Sequence, residues 1–360
     1  MANASGHAFT LEGSLAQETF DAITDLRVNR PAVVDEEAKK RRRRARLAHE
    51  GRLVLVALDH AARGVTRIRE DALALGNRHE LLARALRVLE DPELDGVVAT
   101  ADILEELLIL SHLDRHRRRR SFLDGRVLVG TMNRGGLAGT AFEMDDAFTA
   151  CTAARLAELR CDGGKMLYRL DATDPASGRT IAACAEAVNE LRRHRLAAFL
   201  EALTVERDPE APEGGAPRYR ALDDAASIVK NCGVAAGLGE SSAHVWLKLP
   251  FSDDYAAVGR ATTLPILLLG GPARADARDT LRDFASAMAA TSRVRGAILG
   301  RNLLFPASGD PLPMCRALTA IVHRGATLDE AVRILEAPLA FTPQRDRGGR
   351  RRKGDAAAAS

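Results

Sequence analysis

"GGKMLYRLDATDPASGRTIAACAEAVNELRRHRLAAFLEALTV", residues 163–205, holds two short apolar runs, 163–171 and 197–205. Between them lies a segment, 178–195, whose apolar residues recur at helical spacing. Strand, helix and strand in that order form a βαβ unit, and its strands lie parallel. The alternation extends both ways along the chain. Strand candidates precede this unit at "LVLVALD" (53–59), "GVVAT" (96–100) and "RVLVGTMN" (126–133). Others follow it at "HVWLKLPF" (244–251), "PILLLGG" (265–271) and "GAILGRNL" (296–303). Eight strands, each followed by a candidate helix, predict a (β/α)8 TIM barrel. The alternative, a doubly wound open sheet, wants a Gly-rich nucleotide turn after an early strand. Here the first strand ends in "DHAARG" (59–64) instead.

Around that barrel, assigned to residues 46–340, the sequence places an N-terminal helical extension (1–45), a candidate contact arm between subunits of a homo-oligomer. A basic tail without apolar periodicity (341–360) is expected to be disordered. The Pro- and Gly-rich insertion "ERDPEAPEGGAPRYRAL" (206–222) would lie over the C-terminal mouth, as a lid or a subunit contact.

Charge and cysteine content narrow the function classes. With 52 Lys plus Arg against 49 Asp plus Glu, the net charge is only +3, whereas a nucleic-acid binder concentrates a larger basic excess. Two arginine runs, "KKRRRRAR" (39–46) and "RHRRRR" (115–120), read as solvated helix faces. The first follows "DEEA", which suits the two ends of one short helix and its dipole. The competing reading of both runs is contact with a phosphate backbone. The five cysteines are odd in number, with no CxxC and no His partner at metal-ligand spacing. They are expected to be reduced thiols in a cytoplasmic protein. No apolar run approaches the roughly 18 residues of a membrane helix, so neither a membrane nor a nucleic acid is expected as a partner.

Lysine is scarce: six stand at 39, 40, 165, 230, 248 and 353. Two of them interrupt strands, Lys165 in the fourth and Lys248 in the sixth. Glu201 interrupts the fifth and Asp59 ends the first. Catalytic groups of such barrels gather at the C-terminal strand ends. A lysine desolvated there beside a second ammonium has a lowered pKa, and the free amine can add to a ketone or aldehyde as a Schiff base. Arginine does not deprotonate and cannot substitute. The plainer alternative pairs Lys248 with a buried carboxylate, Glu201 or Asp59, for structure alone. Gly270 and Gly271 end the seventh strand, and Gly300 and Arg301 the eighth, where barrels of this kind often bind phosphate. His60, beside Asp59, either polarises a carbonyl or caps the turn.

Taken together, "LDHAARG", "GGKMLYRLD", "FLEAL", "VWLKLPF", "ILLLGG" and "GAILGRNLL" resemble the class I, Schiff-base aldolases related to tagatose-bisphosphate, archaeal-type fructose-bisphosphate and deoxyribose-phosphate aldolases, over residues 50–310. The "DHxARG" turn and the arginine-rich stretch before it look more like a (β/α)8 family of bacterial myo-inositol catabolism. Members of that family are assigned as aldolases that cleave 6-phospho-5-dehydro-2-deoxygluconate to dihydroxyacetone phosphate and malonic semialdehyde. The resemblance implies Lys248 as the Schiff-base lysine and Lys165 as the second active-site lysine. It implies Glu201 as a proton-transfer group, and Asp59 as partner of a substrate hydroxyl or of a lysine. Gly270, Gly271, Gly300 and Arg301 would bind the phosphate of a sugar substrate, without cofactor or metal, since the converging histidines of metal-dependent aldolases are not offered. Two departures stand out. Some relatives carry a tyrosine two residues after the glutamate, where this chain has Leu203; Tyr168 is a candidate replacement, but strand alternation faces it away from Lys165. The seventh strand also lacks the serine that precedes the glycines in several relatives. Transaldolase-like or acyl-transfer chemistry on the same lysine, and a non-catalytic barrel that binds nucleic acid through its arginines, are the competing functions.

Overall fold

The computed structural model describes residues 8–118, 121–134, 136–208 and 219–338. Each of the eight strand candidates is a strand. They are β1 (Leu53–Ala57), β2 (Gly96–Ala99), β3 (Val127–Thr131), β4 (Gly163–Leu170) and β5 (Ala197–Arg207), then, after a short β6 (Tyr219–Ala221), β7 (Val245–Leu249), β8 (Ile266–Leu269) and β9 (Val294–Leu299). Every neighbouring pair among the eight is parallel, and the β4–β5 pairing closes the sheet into a barrel. Strand β6 stands outside it, antiparallel to the end of β5 with Val205 opposite Ala221. The lid or subunit-contact reading of 206–222 falls largely on 209–218, outside the described residues, as does the basic tail from 339 onward.

Three helices precede the barrel: α1 (Leu11–Ser14), α2 (Gln17–Asn29) and α3 (Val33–Lys40). Around it run α4 (Arg78–Val88), α5 (Ala101–Arg118), α6 (Ala153–Glu158), α7 (Ala176–Arg193), α8 (Ala225–Ala236), α9 (Tyr255–Arg260) and α10 (Ala277–Ala290). After β9 come α11 (Arg301–Leu304), α12 (Pro311–Thr319) and α13 (Leu328–Glu336). Side chains at Asn77, Asp224, Asp254 and Asp310 accept from first-turn amides of α4, α8, α9 and α12, the favoured way to satisfy donors that have no partner within the helix. Among the described residues no helix is long and apolar enough to cross a membrane.

Alternation along the strands sorts the core into two parts. Leu53, Leu55 and Ala57 of β1 pack inside the barrel with Val127, Val129, Ala197, Phe199, Leu267 and Ile298. Their neighbours Val54 and Val56 face the helix layer. Each such buried Leu or Val is worth about 1.5–3 kcal/mol. The interior therefore has an apolar body, and Thr131 of β3, Lys165 of β4, Glu201 of β5 and Lys248 of β7 stand on the same inward rows as buried polar residues above it.

At the opposite, N-terminal end the first arginine run is solvated only in part: Arg42, Arg43 and Arg46 are exposed as expected, whereas Arg41 is buried and Arg44 half-buried. Helix α3 does carry Asp35 and Glu36 in its first turn and Lys39 and Lys40 in its last. The arginines that follow leave the helix and cross the barrel floor. Arg41 is buried; its Nη1 donates to the Arg126 carbonyl at 2.8 Å, Nη2 donates to the Arg160 carbonyl, and Nη2 lies 3.6 Å from Asp162. Arg43 Nε donates to Asp162 at 3.0 Å, Arg44 to Asp95 at 2.6 Å and Arg42 to Asp124 at 3.3 Å. Asp95 and Asp162 in turn accept the amides of Val54 (2.7 Å) and Leu128 (2.9 Å) at the starts of β1 and β3. Carboxylates that cap strand amides in a desolvated floor need countercharge, and the run supplies it. In the second run Arg115 pairs with Glu37 (2.9 Å) and Asp124 (3.2 Å), while Arg119 and Arg120, and the side chains of Arg117 and Arg118, lie outside what the structure describes.

Candidate active site

Register alone brings the interrupting residues together. Thr131 of β3 stands beside Lys165 of β4, and Glu201 of β5 beside Lys248 of β7. Asp59 follows the inward Ala57 by two residues. All five reach the same layer at the C-terminal mouth. Lys165 Nζ lies 3.0 Å from Asp59 Oδ2 and 2.7 Å from Glu201 Oε2, and Lys248 Nζ lies 2.9 Å from the same Glu201 oxygen. Thr131 Oγ1 donates to Asp59 Oδ2 at 3.2 Å. Lys165 is 1% exposed and Lys248 7%.

This chain of charges treats its two amines differently. Burial works against both ammonium ions. For Lys165, Asp59 and Glu201 outweigh burial and hold the group above its ordinary value. For Lys248, burial prevails over Glu201, and the Lys165 ammonium adds to it, so the group falls below its ordinary value. Both carboxylates overcome their own burial through the lysines and sit well below the usual carboxylate range. The direction expected for a desolvated lysine beside a second ammonium is the direction found at Lys248, while Lys165 shifts the other way. Asp59 and Glu201 thus favour the charged form of Lys165, whereas burial and the Lys165 ammonium favour the neutral form of Lys248. The pairing of Lys248 with Glu201 and a lowered pKa coexist.

His60 stands at the head of the 3-10 turn Ala61–Arg63, with Nδ1 4.0 Å from Asp59 Oδ1, buried and without a hydrogen-bond partner. Burial, reinforced by Arg301, Lys248 and Arg63 and opposed by Asp59, pushes it down to about 3. Its ring is therefore neutral at ordinary pH. Gly300 makes room for it: a Cβ there would lie 2.1 Å from His60 Cε1 and 2.8 Å from the Ala57 carbonyl oxygen. Gly270 and Gly271 follow β8, and Gly300 and Arg301 follow its neighbour β9, so these four stand at adjacent strand ends.

Tyr168 points away from the site, as alternation requires. It is buried in the helix layer, and its hydroxyl donates to Asn231 of α8 at 2.7 Å. Leu203 packs against Met144, Ala176 and Val205. Among the described residues no three His, Cys, Asp or Glu converge so as to hold a metal ion, and the five cysteines are free and buried.

Several members of the site were not singled out from sequence. Thr131 and Arg169 were legible in principle, each lying an even number of residues from an inward neighbour. Arg169, buried, pairs with Glu143 at 3.2 Å. Asn302 ties the two strand ends: its Nδ2 donates to the Gly270 carbonyl (2.6 Å) and the Pro272 carbonyl (2.8 Å), and its Oδ1 accepts from the Arg274 amide (2.8 Å). Arg63, in the turn after β1, carries no periodic signal.

Comparison with solved structures returns the same barrel. The crystal structure of Cgl0159 from Corynebacterium glutamicum is 33% identical, with a TM-score of 0.78 over 87% of this chain and 99% of that one. A Schiff-base-forming fructose-1,6-bisphosphate aldolase shares 16% identity and a TM-score of 0.52, covering 81% of this chain and 100% of that one. A fructose-bisphosphate aldolase from Slackia heliotrinireducens shares 12% identity and a TM-score of 0.58, covering 95% and 98%. These last two are likenesses of fold. The Cgl0159-like family profile matches residues 51–317, so the whole run from β1 through α11 lies within it. With the family profile spanning the barrel and 33% identity to Cgl0159 itself over 87% of the chain, this chain belongs to the Cgl0159-like family.

Proposed function

We propose that this barrel is a class I aldolase that cleaves or forms a C–C bond in a phosphorylated keto-sugar through a Schiff base on Lys248. The observation that carries the reading is one carboxylate oxygen of Glu201 shared by two buried amines, of which Lys248 alone is pushed below its ordinary value. A neutral Lys248 adds to the substrate ketone, and Glu201, 2.9 Å away, relays the protons as the carbinolamine loses water. The resulting iminium withdraws electrons from the adjacent carbon. When a base removes the proton of the hydroxyl one carbon further on, the bond between those two carbons breaks. An aldehyde leaves, and the bonding pair becomes the enamine. Protonation of the enamine and addition of water release the ketone product and restore Lys248.

Asp59 and Thr131 hold Lys165 as a fixed cation, which keeps Glu201 ionised. Gly270, Gly271, Gly300 and Arg301 take the phosphate. The substrate to try first is 6-phospho-5-dehydro-2-deoxygluconate, which gives dihydroxyacetone phosphate and malonic semialdehyde. The test is reduction with borohydride in the presence of dihydroxyacetone phosphate, followed by peptide mass spectrometry. The expected result is an adduct on Lys248 that Lys248→Ala abolishes in a folded protein. An adduct on Lys165 alone would reverse the two lysines, and unlabelled folded protein across a panel of phosphorylated ketoses would overturn the mechanism.

A further inference from the structure

We propose that Arg63 and Arg301 form a two-guanidinium clamp for a phosphate dianion, and that Arg63 makes the site prefer a phosphorylated ketone over a neutral one. The ketone part of this statement rests on the Schiff-base reading above; the anion part stands on placement and charge.

Strands β1 and β9 are neighbours, with Val56 opposite Leu299. The segments that continue them beyond the mouth are therefore side by side. One is the turn Ala61–Arg63, and the other starts with Gly300 and Arg301. The two are packed so closely that only a glycine fits at 300, against His60. Each brings a guanidinium whose Nε is buried without a hydrogen-bond partner. Neither forms an ion pair with a carboxylate among the described residues, in contrast to Arg41, Arg43, Arg44 and Arg169.

A count of charge shows what this leaves. Lys165 and Lys248 are matched by Asp59 and Glu201, and Arg169 by Glu143, with the buried Asp146 carboxylate also close enough to act on Arg169. The His60 ring is neutral. Arg63 and Arg301 remain as two positive charges that repel each other in a partly desolvated mouth, and each lacks the anion that would stabilise it. A phosphomonoester carries about two negative charges near neutral pH and accepts the planar fork of each guanidinium. A single carboxylate would leave one charge uncompensated. The phosphate is thus gripped from the β1 side as well as from the β8 and β9 ends.

The test compares wild type, Arg63→Gln, Arg63→Lys and Arg301→Gln in two measurements. The first is the rate of borohydride labelling of Lys248 by dihydroxyacetone phosphate relative to dihydroxyacetone. The second is the affinity for inorganic phosphate by titration calorimetry, which requires no chemistry. Arg63→Gln is expected to reduce the labelling preference by roughly 30-fold or more, and to weaken phosphate in parallel, as truncation of a buried charge contact does. Arg63→Lys, which keeps the charge without the fork, is expected to recover part of both and stands in if Arg63→Gln does not fold. The clamp is overturned if Arg63→Gln keeps both quantities within about twofold of wild type, or if the wild type binds no phosphate. If the wild type labels with neither ketone, the Schiff-base reading fails, and the phosphate titration alone still decides the role of Arg63.

Discussion

The two ends of this barrel are built from the same ingredients, buried cations and carboxylates at strand termini, and use them for opposite purposes. At the floor, arginine is bound to aspartate on every side. Arg41, Arg43 and Arg44 converge on Asp162 and Asp95, which are themselves committed to strand amides. At the mouth, two lysines compete for one oxygen of Glu201, and one of them is left with a weakened hold on its proton. A guanidinium stays charged and distributes its donors over several acceptors; an ammonium has a proton to give up. The two lysines are therefore what sets the pair proposed for chemistry apart from the arginines, which hold the floor and, at the mouth, stay charged.

Exchanging the cations tests that contrast most severely. Lys248→Arg keeps the charge beside Glu201 and is expected to abolish borohydride labelling and turnover, with the melting temperature little changed. Measurable turnover in that variant would mean the mouth needs only charge. At the floor, Arg41→Met removes a buried cation from Asp162 and from two carbonyl oxygens, and is expected to cost about 3 kcal/mol of unfolding free energy in urea. Labelling per folded molecule should stay at the wild-type level. A loss below about 1 kcal/mol would place the run among exposed pairs of little weight.

The smallest effect concerns His60. Between about 6.5, its ordinary value, and about 3, its value in the fold, the unfolded chain binds a proton that the native ring refuses. Stability should therefore fall as the pH drops through this range. Asp59 and Glu201, lowered in the fold, add a loss in the same direction only below about 4.5. Between pH 6.5 and 4.5 His112, also lowered by burial, contributes in the same direction, so His60 is read from the difference between wild type and His60→Asn, which is expected to remove about 1 kcal/mol per pH unit of the slope. Identical slopes for wild type and variant in that window would show that the ring accepts its proton in the fold.

Local pattern made most of the barrel legible. Each strand is a short apolar run whose period is intact, and Lys165, Glu201 and Lys248 announced themselves by breaking it. Alternation was also enough to turn Tyr168 toward Asn231 in the helix layer. The arginine run, exposed at Arg42, Arg43 and Arg46 but not at Arg41, misled in part, for the converse reason. Lys39 and Lys40 end a helix as the acidic-then-basic pattern says, but Arg43 and Arg44 find Asp162 and Asp95 across separations of 119 and 51 residues, which no local pattern encodes. Arg63 was hidden in the same way, since its meaning depends on β1 lying beside β9, and that adjacency exists only once the sheet has closed. The opposite pKa shifts of Lys165 and Lys248 needed distances, because which lysine has two carboxylates and which has one is a matter of ångströms.

The interlock of Gly300 with His60 bears on how this protein can change. With His60 Cε1 2.1 Å from the place a Cβ would occupy, positions 60 and 300 behave as a single locus separated by most of the chain. A library that varies 300 while histidine stays at 60 samples mainly misfolded mouths. A smaller residue at 60 removes only one of the two obstacles, because the Ala57 carbonyl oxygen, 2.8 Å from the same point, belongs to the backbone. Variation at this corner is therefore open at 60 and closed at 300, whatever the order in which substitutions arrive.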